Sequence, residues 1–332
     1  MKRKINIIAC CLIFLISCEE KEPPPKPIPK IPVKKIQSQA DQSQVCPACG
    51  VTVKDISYVY KDGDQKSDFF RCSACTFLFA RPVFIPELDS RQMDGIDNAE
   101  LFNSSLLKSV YIKYFIKKEI RTLRRAKGQG RLRLLDIGCG TGWTTKVYAD
   151  HGFAVTGLEP SQGRAGYARE TYGLEVVCDY IENVEFQEQY DVVVLRHIIE
   201  HFADPGAVMR KIRSFLKPDG VALVVVPNID CLGRTMFETD WAWVLPWHCN
   251  FFTPRSIRSL LNQEGFEPVA AYQTPSPLYY PGALMRRFPN RMVQTLMGRS
   301  RVLAMAACAP LAIAAKWMGK GDNLNVVARL KG

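Results

Sequence analysis

An apolar run that leads straight into three alternating glycines constrains this chain most. The segment Leu134-Leu-Asp136-Ile-Gly138-Cys-Gly140-Thr-Gly142-Trp143 reads as a buried strand, a turn and a helix start. Glycines in such a turn accept positive φ and let a ligand approach the backbone closely. Similar units follow. A second strand, 153–158, ends on Glu159, 17 residues after Gly142. A third, 174–178, ends on Asp179, and a fourth, 190–195, runs into Arg196-His197-Ile-Ile-Glu200-His201. A fifth, 221–226, follows Lys217-Pro-Asp-Gly220. Helices are predicted at 143–151, 161–172 and 203–216. Strand and helix alternate, so the expected class is α/β with a doubly wound, mostly parallel sheet. Ligands in such sheets sit beyond the carboxyl ends of the strands, where a carboxylate such as Glu159 can accept bonds from both hydroxyls of a ribose.

Leu134 to Gly142 resembles motif I of the class I S-adenosylmethionine-dependent methyltransferases. Glu200-His201 before Asp204-Pro205, and Leu216-Lys-Pro-Asp-Gly220, resemble later signatures of that family, over about 131–271. The resemblance implies a seven-stranded sheet and S-adenosyl-L-methionine as methyl donor. It implies Asp136, Gly138, Gly140, Gly142 and Leu195 at the donor, Glu159 on its ribose and Asp179 facing the adenine. Arg71-Cys-Ser-Ala-Cys75 with Phe77 to Pro82, and Trp247-His248-Cys-Asn-Phe-Phe-Thr253, resemble a bacterial subgroup with an N-terminal zinc ribbon. Many of its members resemble enzymes that modify sugars, surface polysaccharides or lipid-linked precursors. A nicotinamide site is disfavoured, because its fingerprint places the third glycine three positions after the second and Trp143 stands there. His197 to His201 also spells HxxEH, an inverted zinc-protease pattern, but it follows a strand and leads at once into Asp204-Pro205, with no long helix to present it.

Methyl transfer from a sulfonium needs alignment of two reactants and removal of the acceptor's proton. Histidine suits that proton transfer near neutral pH. Three of the four histidines, His197, His201 and His248, fall in these motifs. His201 or His248 is the candidate general base, with Glu200 orienting one of them. Alternatively His197, Glu200 and His201 hold a divalent ion, as in the similar ubiquinone-type O-methyltransferases, or Glu200 and His201 only pin the loop. Trp241, Trp243 and Trp247 line an acceptor pocket or pack a cap.

Cys46-Pro-Ala-Cys49 and Cys72-Ser-Ala-Cys75 have the spacing of a four-thiolate zinc site, closed and therefore structural. A pair of disulfides is the alternative in an exported chain. Residues 1–18 carry three basic residues, an apolar run and Leu15-Ile-Ser-Cys18, which resembles a lipoprotein signal; 19–45 reads as a Pro/Lys-rich tether. The remaining divisions are a ribbon at 46–82, a methyltransferase core at 100–272, a helical basic cap at 273–321 and a last core strand at 322–332. The net charge is +11, and residues 2–4 and 273–332 carry the whole surplus. The apolar run 302–315 with its flanking basic residues is either a lid on anionic lipid or a core helix pair with basic outer faces. The expected activity is O- or N-methylation of a small, sugar or lipid-linked anionic acceptor. RNA methylation is an alternative, although the strand-four tip lacks an Asn/Asp-Pro-Pro-aromatic clamp, so a nucleic-acid partner is disfavoured. A non-catalytic, membrane-tethered binding protein is another. Location is expected at a membrane through the N-terminal signal, or in the cytoplasm, where the donor is made and zinc thiolates persist.

Overall fold

The computed structural model describes residues 33–35, 44–54, 56–62, 65–81, 84–86, 105–245, 248–298 and 300–331. The lipoprotein-like signal, most of the tether and Trp247 lie outside the described residues.

Seven strands form one sheet: β1 (Arg133–Ile137), β2 (Ala154–Leu158), β3 (Val176–Val177), β4 (Tyr190–Arg196), β5 (Leu216–Pro227), β6 (Phe266–Thr274) and β7 (Asn323–Leu330). Their order is β3-β2-β1-β4-β5-β7-β6. All pairings from β3 to β5 are parallel, and β7 runs antiparallel between β5 and β6. The sheet is thus doubly wound, with its switch point between β1 and β4, where such folds bind ligands. Val192 to Leu195 and Ala222 to Val224 are fully buried, because helices cover both faces of the sheet and leave no polar side. The third strand is shorter than predicted. It is an edge, and among the described residues only β2 pairs with it. The fifth is longer, since Leu216 already pairs with Tyr190 ahead of a register shift.

Helices α1 (Ser105–Tyr111) and α2 (Lys117–Lys127) precede the sheet, joined by a π-helical turn at Ile112–Ile116. Helices α3 (Trp143–Asp150), α4 (Gln162–Tyr172) and α5 (Pro205–Phe215) occupy the crossovers. Ser161 caps α4 by accepting from Arg164 N–H, and Asp204 caps α5 by accepting from Ala207 N–H, with Pro205 in the first turn. Ile120 and Leu123 of α2 pack with Tyr148 of α3 on one face of the sheet; Val208 and Ile212 of α5 pack on the other.

The cysteine-rich segment is not a separate module. Its strands Ile56–Asp62, Gln65–Arg71 and Leu78–Arg81 form an antiparallel sheet whose fourth strand is Asn250–Phe251, from the far side of the chain. Phe77 packs on Phe252 with ring centroids 4.9 Å apart, so the ribbon shares the main core. Beyond β5 come α6 (Leu232–Phe237), α7 (Pro254–Gln263) and then a cap of α8 (Tyr280–Arg287), α9 (Arg291–Gly298) and α10 (Arg301–Trp317), inserted before β7. Trp241 is fully buried in this cap against Phe237 and Tyr280, so it packs and does not line a pocket.

Candidate functional site

The three glycines lie at the carboxyl end of β1 with φ of 68°, 55° and 79°. Their surroundings differ. A Cβ on Gly138 would lie 2.2 Å from Ile198 Cδ1, and one on Gly142 would lie 2.7 Å from Ala168 Cβ, so both are locked by packing. Gly140 has nothing within 4 Å of that position, which leaves its backbone open to a ligand. Glu159, at the end of β2, reaches this turn: Gly140 N–H donates to Glu159 Oε2 at 2.9 Å, and Ser161 N–H donates to Oε1 at 3.1 Å. Glu159 is itself buried, and these two bonds hold its carboxylate beside the open Gly140 backbone at the strand ends.

The other donor-site candidates separate by burial. Asp136 is buried beneath the turn, where Thr145 Oγ1 donates to it at 2.6 Å. Burial pushes its carboxyl up to about 6, against the Thr145 bond. It positions the start of α3 and does not face the cleft. Leu195 needs correction as a donor contact: its side chain is fully buried in the core between β1 and β5, as expected for the interior of a central strand. Asp179 lies just beyond β3 and accepts from Tyr180 N–H at 2.7 Å and Asn183 Nδ2 at 2.8 Å, closing the turn there.

The tip of β4 carries the histidines. His197 takes φ 54°, stacks on Trp243 at 4.5 Å and 14°, and places Nδ1 3.4 Å from Glu200 Oε1. Glu200 is fully buried, and neither of its oxygens accepts a hydrogen bond among the described residues. Burial works to raise its carboxyl, but His197, His201 and His248 hold it below its ordinary value. A single short 3₁₀ turn at Ile199–His201 carries this segment, which excludes the long helix a protease motif needs. One ligand atom each from Glu200, His201 and His248 fall within 4.8 Å of one another. Sequence reasoning grouped His197 with Glu200 and His201; the structure puts His248 in that group, because His248 folds back from the segment before Asn250–Phe251. His248 Nδ1 lies 2.9 Å from Trp243 O. A carbonyl only accepts, so Nδ1 carries the proton and Nε2 keeps its lone pair. Burial and His201 push His248 down to about 3, although Glu200 opposes them. Cys249 N–H donates to Glu200 O at 3.1 Å, and Ala80 N–H donates to Cys249 O at 2.8 Å, so the ribbon sheet braces this cluster.

One buried group lacks any sequence signal. Arg196 Nη1 donates to Glu119 Oε1 at 2.9 Å, a second contact joins Arg196 Nη2 to Glu119 Oε2, and Tyr148 O–H donates to Glu119 Oε2 at 2.8 Å. This ion pair ties α2 to the end of β4.

In the ribbon, Cys46 Sγ and Cys75 Sγ lie 3.6 Å apart, and Cys49 Sγ and Cys72 Sγ 3.5 Å apart. Bonds of about 2.3 Å to a tetrahedral zinc set sulfurs roughly 3.8 Å from each other, so the four fit that ion. None of the described cysteines forms a disulfide, which corrects the disulfide alternative.

Residues 110–271 match the family described as Methyltransferase domain. Two relatives named "Ubiquinone biosynthesis O-methyltransferase", from Dinoroseobacter shibae and Ruegeria pomeroyi, are each 35% identical over 153 residues, 42% of this chain and 61% of theirs. This chain therefore spans less than two thirds of those relatives' own length. A solved S-adenosylmethionine-dependent methyltransferase from Clostridium acetobutylicum aligns with a TM-score of 0.46 at 12% identity, over 70% of this chain and 98% of that one.

Proposed function

Over residues 110–271 this chain belongs to the class I S-adenosylmethionine-dependent methyltransferases, and on that premise we propose that it transfers a methyl group to a hydroxyl oxygen of a small acceptor. The name of the relatives supports oxygen, and gives no support to the anionic sugar or lipid-linked acceptor expected from sequence. When bound, the donor supplies an activated sulfonium methyl. The chain's own residues then hold, align and deprotonate. Gly140 and Glu159 grip the nucleoside half. His201, half-buried beside Glu200, takes the acceptor proton, and the buried carboxylate stabilises the imidazolium that results. His248, fixed through Nδ1, walls the same cluster.

The observation that carries this reading is the 2.9 Å bond between Gly140 and Glu159, which joins the ends of β1 and β2 where a ribose is held in such sheets. Isothermal titration with S-adenosylhomocysteine tests it. Binding to the wild-type chain and its loss in Glu159→Ala are expected; no binding, or equal binding by the variant, rejects the reading. A second reading places a divalent cation on Glu200, His201 and His248, and it is favoured by a fully buried carboxylate with one ligand atom of each residue within 4.8 Å of the others. Activity abolished by a chelator and restored by a divalent ion, with zinc retained in the ribbon, separates it from base catalysis.

The same proposal assigns a structural Zn²⁺ to Cys46, Cys49, Cys72 and Cys75. It also keeps membrane attachment through Cys18 as a proposal; palmitate incorporation that disappears in Cys18→Ser tests it.

A further inference from the structure

The outer face of α10 is unlike that of an ordinary surface helix. Its inner stripe, Ala304, Cys308, Ala312 and Ala315, is buried against the cap. Its outer stripe, Leu303, Ala306, Pro310, Ile313 and Trp317, recurs at the same three- and four-residue spacing and is exposed. A helix on a solvated surface presents polar residues there, whereas a helix apolar all round needs cover on every side. Leu303 and Ile313 are each 51% exposed and Trp317 is 85% exposed. Helix α9 continues the surface: none of its side chains is buried, and Met292 and Leu296, one turn apart, are 68% and 57% exposed. Of the fifteen large apolar side chains exposed among the described residues, seven lie between Phe288 and Met318. The outer surface of this helix pair thus carries an apolar stripe beside exposed Arg291 and Lys316.

Charge indicates what covers it. Seven lysines and arginines and no acid lie between 286 and 320; Arg287 pairs with Asp240 at 3.6 Å, while Arg291 and Lys316 are exposed. Lys316, next to Trp317, shares a neighbourhood with Lys118 and Arg121; burial, Lys316 and Arg121 depress the Lys118 ammonium. Beside it a cavity of about 330 Å³ opens between Arg258, Tyr272, Gln273 and Lys316. An anionic lipid surface meets both features at once: it attracts basic residues near it at about 1 kcal/mol each, and it takes an apolar stripe at the acyl boundary.

We infer that α9 and α10 dock in the plane of an anionic bilayer, with Met292, Leu296, Leu303, Ile313 and Trp317 at the acyl boundary and the basic residues at the headgroups. Trp317 is suited to that depth, being apolar in body and polar at one edge. The pair lies on the membrane and does not cross it. No single described helix is long and apolar enough to cross, and α9 and α10 meet at 101°. The 17 residues of α10 cover roughly 25 Å, short of a hydrocarbon core of about 30 Å. The inner face of α10 packs in the cluster that Trp243 and Tyr279 join, so the docked face stands one helix away from the ring that carries His197. The inference does not depend on donor binding.

The test uses the full chain carrying Cys18→Ser, so that no acyl chain contributes, with vesicles of phosphatidylcholine alone or with one third phosphatidylglycerol, brominated in the acyl chains. About tenfold more protein should sediment with the anionic vesicles. Tryptophan fluorescence should be quenched by the brominated lipid, and Trp317→Phe should remove most of that quenching. Leu303→Gln/Ile313→Gln should cut binding about tenfold without lowering the thermal midpoint. Three results overturn the inference: no preference for anionic vesicles, quenching that survives Trp317→Phe, or a doubled mass by light scattering that Leu303→Gln/Ile313→Gln returns to a monomer. The second would place the contact elsewhere in the chain, and the third would make the face a contact between two copies.

Discussion

His197 lies flat on Trp243, with ring centroids 4.5 Å apart and planes 14° apart, while its backbone sits at φ 54°. A non-glycine residue in that region costs of order 1–3 kcal/mol, so the surroundings must hold it there. The stack does so from one side, and the Glu200 carboxylate 3.4 Å away does so from the other. Trp243→Ala should therefore lower methyl transfer at least about tenfold, whereas Trp243→Phe keeps a flat partner and most of the rate. His197→Gly should leave the urea midpoint unchanged or higher, because glycine carries no strain at that φ, yet lose activity. Equal activity in all three variants would remove His197 from the site.

The Glu119–Arg196 pair makes a stability prediction. Glu119 is buried and the Arg196 side chain is only 14% exposed, so removing one charge strands the other. Glu119→Gln should cost about 3 kcal/mol in urea unfolding. Replacing Glu119 and Arg196 together with apolar residues of similar size should cost less than that single change. A cost for Glu119→Gln below about 1 kcal/mol would show that the pair is solvated.

One buried carboxyl and one histidine set opposite pH trends. Burial pushes Asp322 up to about 7, although Ser276 N–H donates to it at 2.7 Å. Its ordinary value is 3.8. The folded chain therefore keeps a proton that the unfolded chain loses, and stability falls as pH rises from about 4 through 7. Asp322→Asn should gain stability relative to wild type at pH 8, and the gain should vanish near pH 4. His248 acts in the other direction. With a folded value of about 3 against 6.5, it leaves the native state unprotonated while the unfolded chain takes up a proton, so stability falls as pH drops below 6.5. His248→Phe should flatten that acid limb. Urea midpoints at several pH values check both; parallel curves for wild type and variants would contradict the assignment.

Loss of the zinc proposed for Cys46, Cys49, Cys72 and Cys75 should reach the candidate site. The strand Leu78–Arg81 pairs with Asn250–Phe251, and Thr76 Oγ1 lies 2.7 Å from Thr253 Oγ1, so a loosened ribbon releases the backbone that carries His248. One zinc per chain by elemental analysis, and a lower thermal midpoint with lower activity after chelation or Cys72→Ser, are expected. A zinc-free chain with full stability would leave the cysteines as ordinary core.

The parallel core was legible because β4 and β5 are unbroken apolar runs and because the glycines, Glu159 and the β4 tip follow one another at the spacing of crossover units. A last strand is expected at 322–332, and Asn323–Leu330 forms one. What escaped depends on contacts between distant residues. Glu119 and Arg196 are 77 positions apart, and each alone reads as a surface charge. The ribbon's fourth strand is two residues long and carries no pattern of its own. Leu195 misled because its place at a strand end suggests the cleft, while the period-two alternation of a strand turns its side chain into the core. Trp241 and Trp243 are two residues apart, yet one packs the cap and the other supports His197.

The account rests on the grip of the Gly138–Gly142 turn and Glu159 on the donor's nucleoside half, and a crystal structure with S-adenosylhomocysteine measures it most directly. Both ribose hydroxyls within hydrogen-bonding distance of the Glu159 carboxylate, with the ligand backbone against Gly140, is the predicted result. A ligand bound elsewhere, or a ribose turned away from Glu159, would contradict the account.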